Sequence, residues 1–486
     1  MTLWKRVRLI AFAGIVALAG PYDPTLFAAQ DERPFPSVRD VRLDLGFDYE
    51  RGWVQGRCRL TVVNTTPGPL SRLPLVLYRL MKVTAVTDKD GKALPFTQSV
   101  QTFEDWDTFQ ANVIDVGLLS PLETQQDSII DLTYAGPLVG YAETGMRYVK
   151  DRVEKAFTIV RRDALAYPQV GYPSWTVNRA AGLPKFDYEV TVAVPPPLYA
   201  ANGGRLVGRE RRGGLEVFRY RNLKPAWRID VAVADYRVLE GPGGLRVVHF
   251  ADDADGAGDI RRAWQETVSL YTSWFGPAGD AGSFTIIEIP EGYGSQADVT
   301  AILQTRDAFR DRSQMTQLYH EAAHLWDFTA LDPLPARFES EGKAMFLQYL
   351  ARERLEGKAG ALEEGAKRVL ERYRTAQREQ AKLRETPMID FGRADLTDHA
   401  YTKGMIFFYL LYRKAGEERF LRAAGEVSRR FRAAGATSRE FLDALEQALG
   451  LDLKAFYADW VFGTGADRVI REGATLEDLV RRYGQD

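Results

Sequence analysis

A chain of 486 residues with 64 Lys and Arg against 66 Asp and Glu carries a formal net charge of −2, which gives nucleic-acid binding no electrostatic support. Hydrophobic content of 45% and charged content of 27% exclude a disordered or low-complexity chain. The length is too great for one core and, at roughly 100–200 residues per domain, predicts two to four units.

The N-terminus reads as an address. Lys5, Arg6 and Arg8 precede the apolar run Leu9–Val16, and Ala17-Leu18-Ala19 is an A-x-A exit, with Phe27-Ala28-Ala29 as a second one. Residues 1–29 are expected to be an export signal, cut after Ala19 or Ala29. The destination is periplasmic or extracellular, with a membrane anchor where the signal stays uncut. The apolar run is too short for a comfortable span, so no stable membrane span is expected after removal. Cutting at Ala19 removes three cations and no acids, so the net charge becomes −2 − 3 = −5. Cys58 is the sole cysteine, so no internal disulfide forms, and it lies too far along for a lipid-modified N-terminal cysteine.

Residues from about 36 to 240 read as β structure. Val41–Leu45, Val54–Val63, Ser128–Tyr134 and Tyr188–Val194 alternate or cluster β-branched residues, and Asn64–Gly68, Lys89–Gly91, Pro195–Pro197 and Asn202–Gly204 supply turns between such runs. Gly241-Pro-Gly-Gly244 is the expected joint between a 30–240 β domain and a 241–486 domain. Beyond it the pattern predicts a strand at 245–250, a helix at 259–274, an apolar strand at 284–290 and an extended segment at 297–303. From Ser313 onward helical spacing dominates: about 313–329, a helix opened by Glu341, then 360–385, 399–415, 417–433, 438–449 and 452–462. Thr437–Glu440 and Thr475–Asp478 have the spacing of capping boxes. Strands followed by helices make an α+β chain.

Two of the four histidines fall in one stretch, His320-Glu321-Ala-Ala-His324-Leu-Trp326. Residues four apart on a helix differ by about 40° around its axis, so both imidazoles project from one face and can supply half of a tetrahedral zinc shell. Glu321 lies about 100° round, placed to take a proton from water rather than to join the shell. Three protein ligands and one open position are what catalytic zinc needs. Glu341, seventeen residues after His324, is the best third ligand. Glu339 competes for that role, but residues two apart do not share a helix face. His399 is either a cleft or a packing residue, and Trp326 reads as core.

His320–Trp326 followed by Ser340-Glu341-Gly342-Lys-Ala344 and Tyr401-Thr-Lys403-Gly404 resembles the aminopeptidase-N-like gluzincin zinc metallopeptidases, with their H-E-x-x-H-x-W, N-E-G-x-A and Y-x-K-G motifs. Gly56–Asn64 resembles a strand of that family's saddle-shaped β domain, and Asp459–Gly465 the end of its thermolysin-like domain. The resemblance implies an N-terminal β saddle or sandwich, then a thermolysin-like domain with C-terminal helices. It implies one Zn²⁺ per chain and aminopeptidase-like hydrolysis of a peptide or protein substrate. It makes Tyr401 the donor to the oxyanion and assigns substrate contacts to Gly292, Gly294 and Gln296. No counterpart of the family's large C-terminal helical domain is expected, and the loop between His324 and Glu341 is shorter than the family's. The family's G-x-M-E-N signature, whose Glu grips a free amine, is replaced by Gly294-Ser-Gln-Ala297-Asp298. Asp298, Glu291 and Glu339 are the acids near enough to stand in for it. Alternatives are an endopeptidase or specialised peptidase indifferent to the free N-terminus, and a weakly active, zinc-stabilised peptide-binding module. Glu321 argues against the last, since a scaffold has no use for a base.

Overall fold

In the computed structural model, strands come first and helices last. The structure describes Arg33 and residues 35–141, 144, 146–180, 185–278, 283–390 and 399–484, so the expected export signal lies outside the described residues.

Period-two patterning builds the N-terminal sheets. β1 (Ser37–Asp48) buries Val41, Leu43 and Leu45 and turns Arg42 and Asp44 to solvent. It pairs antiparallel with β2 (Trp53–Val63) and in parallel with β10 (Asp187–Val194). With β4 (Lys82–Asp88), β7 (Asp127–Pro137), β12 (Arg205–Arg212) and β13 (Leu215–Arg221) they form a seven-stranded sheet in the order β12-β13-β10-β1-β2-β7-β4. A second sheet runs β5-β6-β3-β9, from Phe96–Phe103, Trp106–Leu122, Leu70–Tyr78 and Gln169–Val170. The turn expected at Asn64 forms as the sequence suggests: its side-chain amide donates to the carbonyls of Gly68 (2.8 Å) and Leu122 (2.7 Å).

The joint expected at Gly241–Gly244 is instead the turn of a hairpin. β15 (Tyr236–Glu240) pairs antiparallel with β16 (Leu245–Phe250), so the strand before the glycines belongs to the sheet after them. That five-stranded sheet runs β15-β16-β17-β19-β18, with β17 at Phe284–Ile289 and β19 at Ala301–Thr305. The extended segment expected at 297–303 is two antiparallel strands, because the chain turns at Val299-Thr300 and leaves β18 (Gln296–Asp298) on the sheet's edge.

The helices run Ala254–Phe275, Thr316–Ala323, Lys343–Leu355, Ala361–Glu379, Gly404–Ala415, Glu417–Phe431 and Ser438–Leu449, with shorter ones to Tyr483. Both capping boxes are present, Thr437 with Glu440 and Thr475 with Asp478. One apolar core lies in the N-terminal part around Leu75, Ile114 and Leu132, another in the C-terminal part around Ile286, Leu318, Phe346 and Trp460. A smaller cluster, Ile159, Ala232, Tyr236, Ile287 and Leu303, joins strands from both parts. Removing such surface from water contributes about 25 cal/mol per Å², so burial in this cluster helps hold the two parts together. Among the described residues no helix is long and apolar enough to cross a membrane.

Candidate metal centre

The helix at Thr316–Ala323 is shorter than the predicted 313–329. A 3₁₀ turn at Arg312–Gln314 precedes it, and another at His324–Trp326 follows before the chain becomes extended at Asp327. Asp327 turns its side chain back on His324 as its backbone becomes extended, and the helix does not continue. His320 and His324 nonetheless share a face. Their Nε2 atoms lie 3.4 and 3.6 Å from Oε2 of Glu341.

Each imidazole is fixed from behind. Nδ1 of His320 is 3.1 Å from Oε1 of Gln348, and its ring stacks on Tyr401 at a 6.1 Å centroid separation and 7° between planes. Nδ1 of His324 is 2.8 Å from Oδ2 of Asp327, which also accepts from the Ser340 hydroxyl at 2.6 Å, while Lys343 Nζ sits 2.6 Å from Oδ1. Such partners set the tautomer and aim Nε2 at the open space. Oε1 of Glu341 accepts from Arg337, while its buried Oε2 has no hydrogen-bond partner. A buried orphan carboxylate oxygen is costly. Here it faces two imidazole nitrogens whose other sides are engaged, and the three donor atoms lie within 4.8 Å of one another. This donor set fits zinc.

Glycines bring the metal-site elements together. Glu341 lies in a π turn, Phe338–Gly342, and Tyr401 in another, His399–Lys403. A Cβ on Gly342 would come within 2.7 Å of Gly404 backbone, and one on Gly404 within 2.9 Å of Gly342 Cα. The glycines of the Glu-Gly and Lys-Gly motifs are thus one contact, and only hydrogen at both positions lets Glu341 and Tyr401 sit side by side.

Electrostatics sorts the groups. Burial opposes a charge on Glu341, but Arg337 and then the histidines hold its carboxyl far below the usual range. Burial also works against charge on His324, and Asp327 and Glu341 outweigh it, lifting its pKa to about 9. Glu321 is raised by burial against the pull of both histidines, which makes it a stronger proton acceptor than an exposed carboxylate. Burial, then Glu341, push the Tyr401 phenol well above its ordinary value, so it remains a donor.

A cleft of about 310 Å³ opens beside these groups, lined by His320, Glu321, Gln317, Gln348, Ser295, Thr305, Asp307, Gly292 and Gly294. Gly292 and Gly294 both adopt positive φ, 76° and 71°, and a Cβ on Gly292 would meet Lys150 Nζ at 2.5 Å. Gln296 does not line this cleft. Its Oε1 accepts from Arg228 (2.7 Å) and Arg161 (3.3 Å), buried arginines of the N-terminal part paired with Asp163, Asp230 and Asp151. Sequence reasoning missed both arginines, since Arg161 and Arg228 lie in no motif. Of the acids considered for the amine, Asp298 lines a separate cavity of about 10 Å³ and Glu339 is buried against Ser438. Asp307, also missed, is the cleft's acidic group besides Glu321 among the described residues, and Glu291 stands beside it. His399 is wholly buried and Trp326 lies in the core, its indole donating to Gly276 O.

No protein-family model matches the sequence, and neither does any curated protein searched. Solved structures do share its fold. The M1 zinc metallopeptidase from Deinococcus radiodurans superimposes with a TM-score of 0.64 at 19% identity, over 88% of this chain and 94% of that one. A mutant of the Deinococcus enzyme bound to a Tyr-Ser-Ala substrate gives 0.62 at 17% identity, over 88% and 94% of the two chains. A mutant two-domain M1 zinc metallopeptidase bound to L-arginine gives 0.62 at 18%, over 91% and 95%. The chain has the fold of the two-domain M1 zinc metallopeptidases, a β-rich N-terminal part followed by a largely helical one.

Proposed function

We propose that this chain is an exported zinc metallopeptidase, aminopeptidase-like, in which His320, His324 and Glu341 hold one zinc ion. Residues 1–29 serve as the signal, the β-rich part up to about residue 235 as the N-terminal domain, and the part that begins with the hairpin of Tyr236–Glu240 and Leu245–Phe250 as the thermolysin-like domain. The observation that carries the reading is the partnerless, buried Oε2 of Glu341 facing two imidazoles with their Nδ1 atoms engaged. Zinc at such a site supplies a Lewis acid that lowers the pKa of water toward about 7 and polarises a carbonyl.

The chain's own groups do the rest. Glu321 takes a proton from the attacking water and hands it to the leaving amine. Tyr401, kept protonated, donates to the oxygen that gains charge as the carbonyl is attacked. β18 ends its sheet, and an edge strand is the element to which a peptide can add as a further strand. Gly292 and Gly294 let that peptide approach, while Gln296 shapes the strand through its arginine contacts rather than by reaching the substrate with its side chain.

One observation favours a second reading, a peptidase indifferent to the free N-terminus. Ala297 stands where the related enzymes have a glutamate, and amine recognition by a carboxylate would fall to Asp307. The experiment is digestion of a mixed peptide library by zinc-loaded protein, with cut positions read by mass spectrometry. Stepwise loss from free N-termini supports the aminopeptidase form, internal cuts support the second, and no cuts at all overturn both.

A further inference from the structure

Behind Tyr401 lies a buried polar network that neither the metal centre nor the cleft uses. The π turn His399–Lys403 has Tyr401 at its middle, and both of its ends lead to one carboxylate on the helix Gly465–Arg471. Lys403 Nζ lies 2.6 Å from Oδ2 of Asp467, with side-chain exposures of 0% and 1%. The other oxygen, Oδ1, accepts from the Tyr373 hydroxyl (2.6 Å) and from Gln377 Nε2 (3.2 Å). The Tyr373 oxygen is in turn 2.9 Å from Nδ1 of His399. One carboxylate therefore anchors the turn directly at its last residue and, through Tyr373, at its first.

A buried ion pair is weak evidence for stability, because desolvation offsets much of the attraction, but with both oxygens of Asp467 engaged it constrains the geometry of the groups it joins. A π turn is rarely used and occurs frequently at functional sites. We propose that Asp467 is a positioning residue for Tyr401: through Lys403 and through Tyr373–His399 it fixes the turn that presents the phenol beside Glu341. The inference rests on the reading of Tyr401 as the oxyanion donor.

Two measurements on full-length, zinc-loaded protein test it. In Asp467→Asn, kcat falls by about 10²-fold with KM unchanged, the order of loss that a misplacement near 1 Å causes. In a Tyr401→Phe background the same substitution changes kcat by less than about threefold, because interacting sites are not additive. Equal losses in both backgrounds, or no loss in either, overturn the proposal. The second measurement does not depend on activity. With tyrosine labelled at ¹³Cζ, the Tyr401 resonance, assigned by its disappearance in Tyr401→Phe, is one line in the native protein and broadens or splits in Asp467→Asn. An unchanged single line overturns positioning even if the native protein hydrolyses peptides, whereas a split line sustains it even if the native protein proves inactive. Should Asp467→Asn not fold, the apolar pair Lys403→Met with Asp467→Leu replaces both charges at once, and the same two readouts apply. Native kcat together with a native line in that pair contradicts the proposal.

Discussion

The two walls of the cleft are built on opposite plans. The metal wall works through side chains: His320, Glu321, His324 and Glu341 span twenty-two residues, and each histidine is locked by a neighbour such as Gln348 or Asp327. The facing wall is a loop: Gly292 and Gly294 in positive φ, then Ser295, which leads into the edge strand whose Gln296 is held from behind by Arg161 and Arg228, 135 and 68 residues away. Chemistry that needs particular donor atoms is encoded locally, where helix periodicity sets the spacing. A surface that need only accept a peptide backbone is shaped by whatever the distant β part brings against it.

Substitutions on the metal wall have the larger effects. His324→Ala removes a ligand, and metal analysis after dialysis should find zinc falling from one per chain to near zero, with hydrolysis lost alongside. Glu321→Gln should keep its zinc and lose roughly 10²–10⁴ in kcat, the contribution of a positioned general base. Tyr401→Phe should lose about 10²–10³, as for one oxyanion donor. A Glu321→Gln variant with native turnover would break the comparison, since the metal wall would then hold metal without performing chemistry. Asp327→Asn leaves all three ligands but frees the His324 ring, and zinc affinity measured by competition with a chelator should weaken by about 10–100-fold.

The facing wall should respond more gently. Asp307→Asn is expected to lower the rate ratio between a peptide and its N-acetylated form by about tenfold if the carboxylate meets the substrate amine, a charge-assisted contact of roughly 1.5 kcal/mol. An unchanged ratio would leave that wall purely a backbone surface. Away from the cleft, Asp298, buried in its separate small cavity with an orphan Oδ1, is raised by burial to about 7. Its folded pKa exceeds its unfolded one, so the native state keeps a proton the unfolded chain has lost. Its contribution is therefore full below about pH 4 and fades as pH rises toward 7. Thermal melts of Asp298→Asn against the native protein should diverge across that window and not below it.

The contrast also explains how legible each part was in the sequence. His320 and His324 lie four apart, and the Glu341 and Tyr401 motifs each carry a glycine, Gly342 and Gly404, which turn out to be each other's contact. That contact is invisible in the sequence, yet it leaves a readable mark because only glycine satisfies it. Strands with period-two burial, such as Ser37–Asp48, and helices with capping boxes, such as Ser438–Leu449, were legible for the same local reason. The hairpin at Gly241–Gly244 was not, because a Pro-Gly turn looks alike whether it joins two strands of one sheet or two domains. The helix end at Ala323 was missed because Asp327 reads as another helical position until its side chain is seen holding His324. Arg161, Arg228 and Asp307 matter through partners far along the chain, and no spacing rule reports them.

The central claim is that three side chains hold a zinc ion on which peptide hydrolysis depends, with Glu321 as the base. The most direct test is a zinc titration of exhaustively chelated protein, native and Glu321→Gln in parallel, following metal bound and peptide cleaved in the same samples. The account predicts that native activity rises in proportion to zinc and stops at one equivalent, while Glu321→Gln binds the same equivalent and stays nearly inactive. Chelated native protein that cleaves peptides as fast as the zinc-loaded form would contradict it.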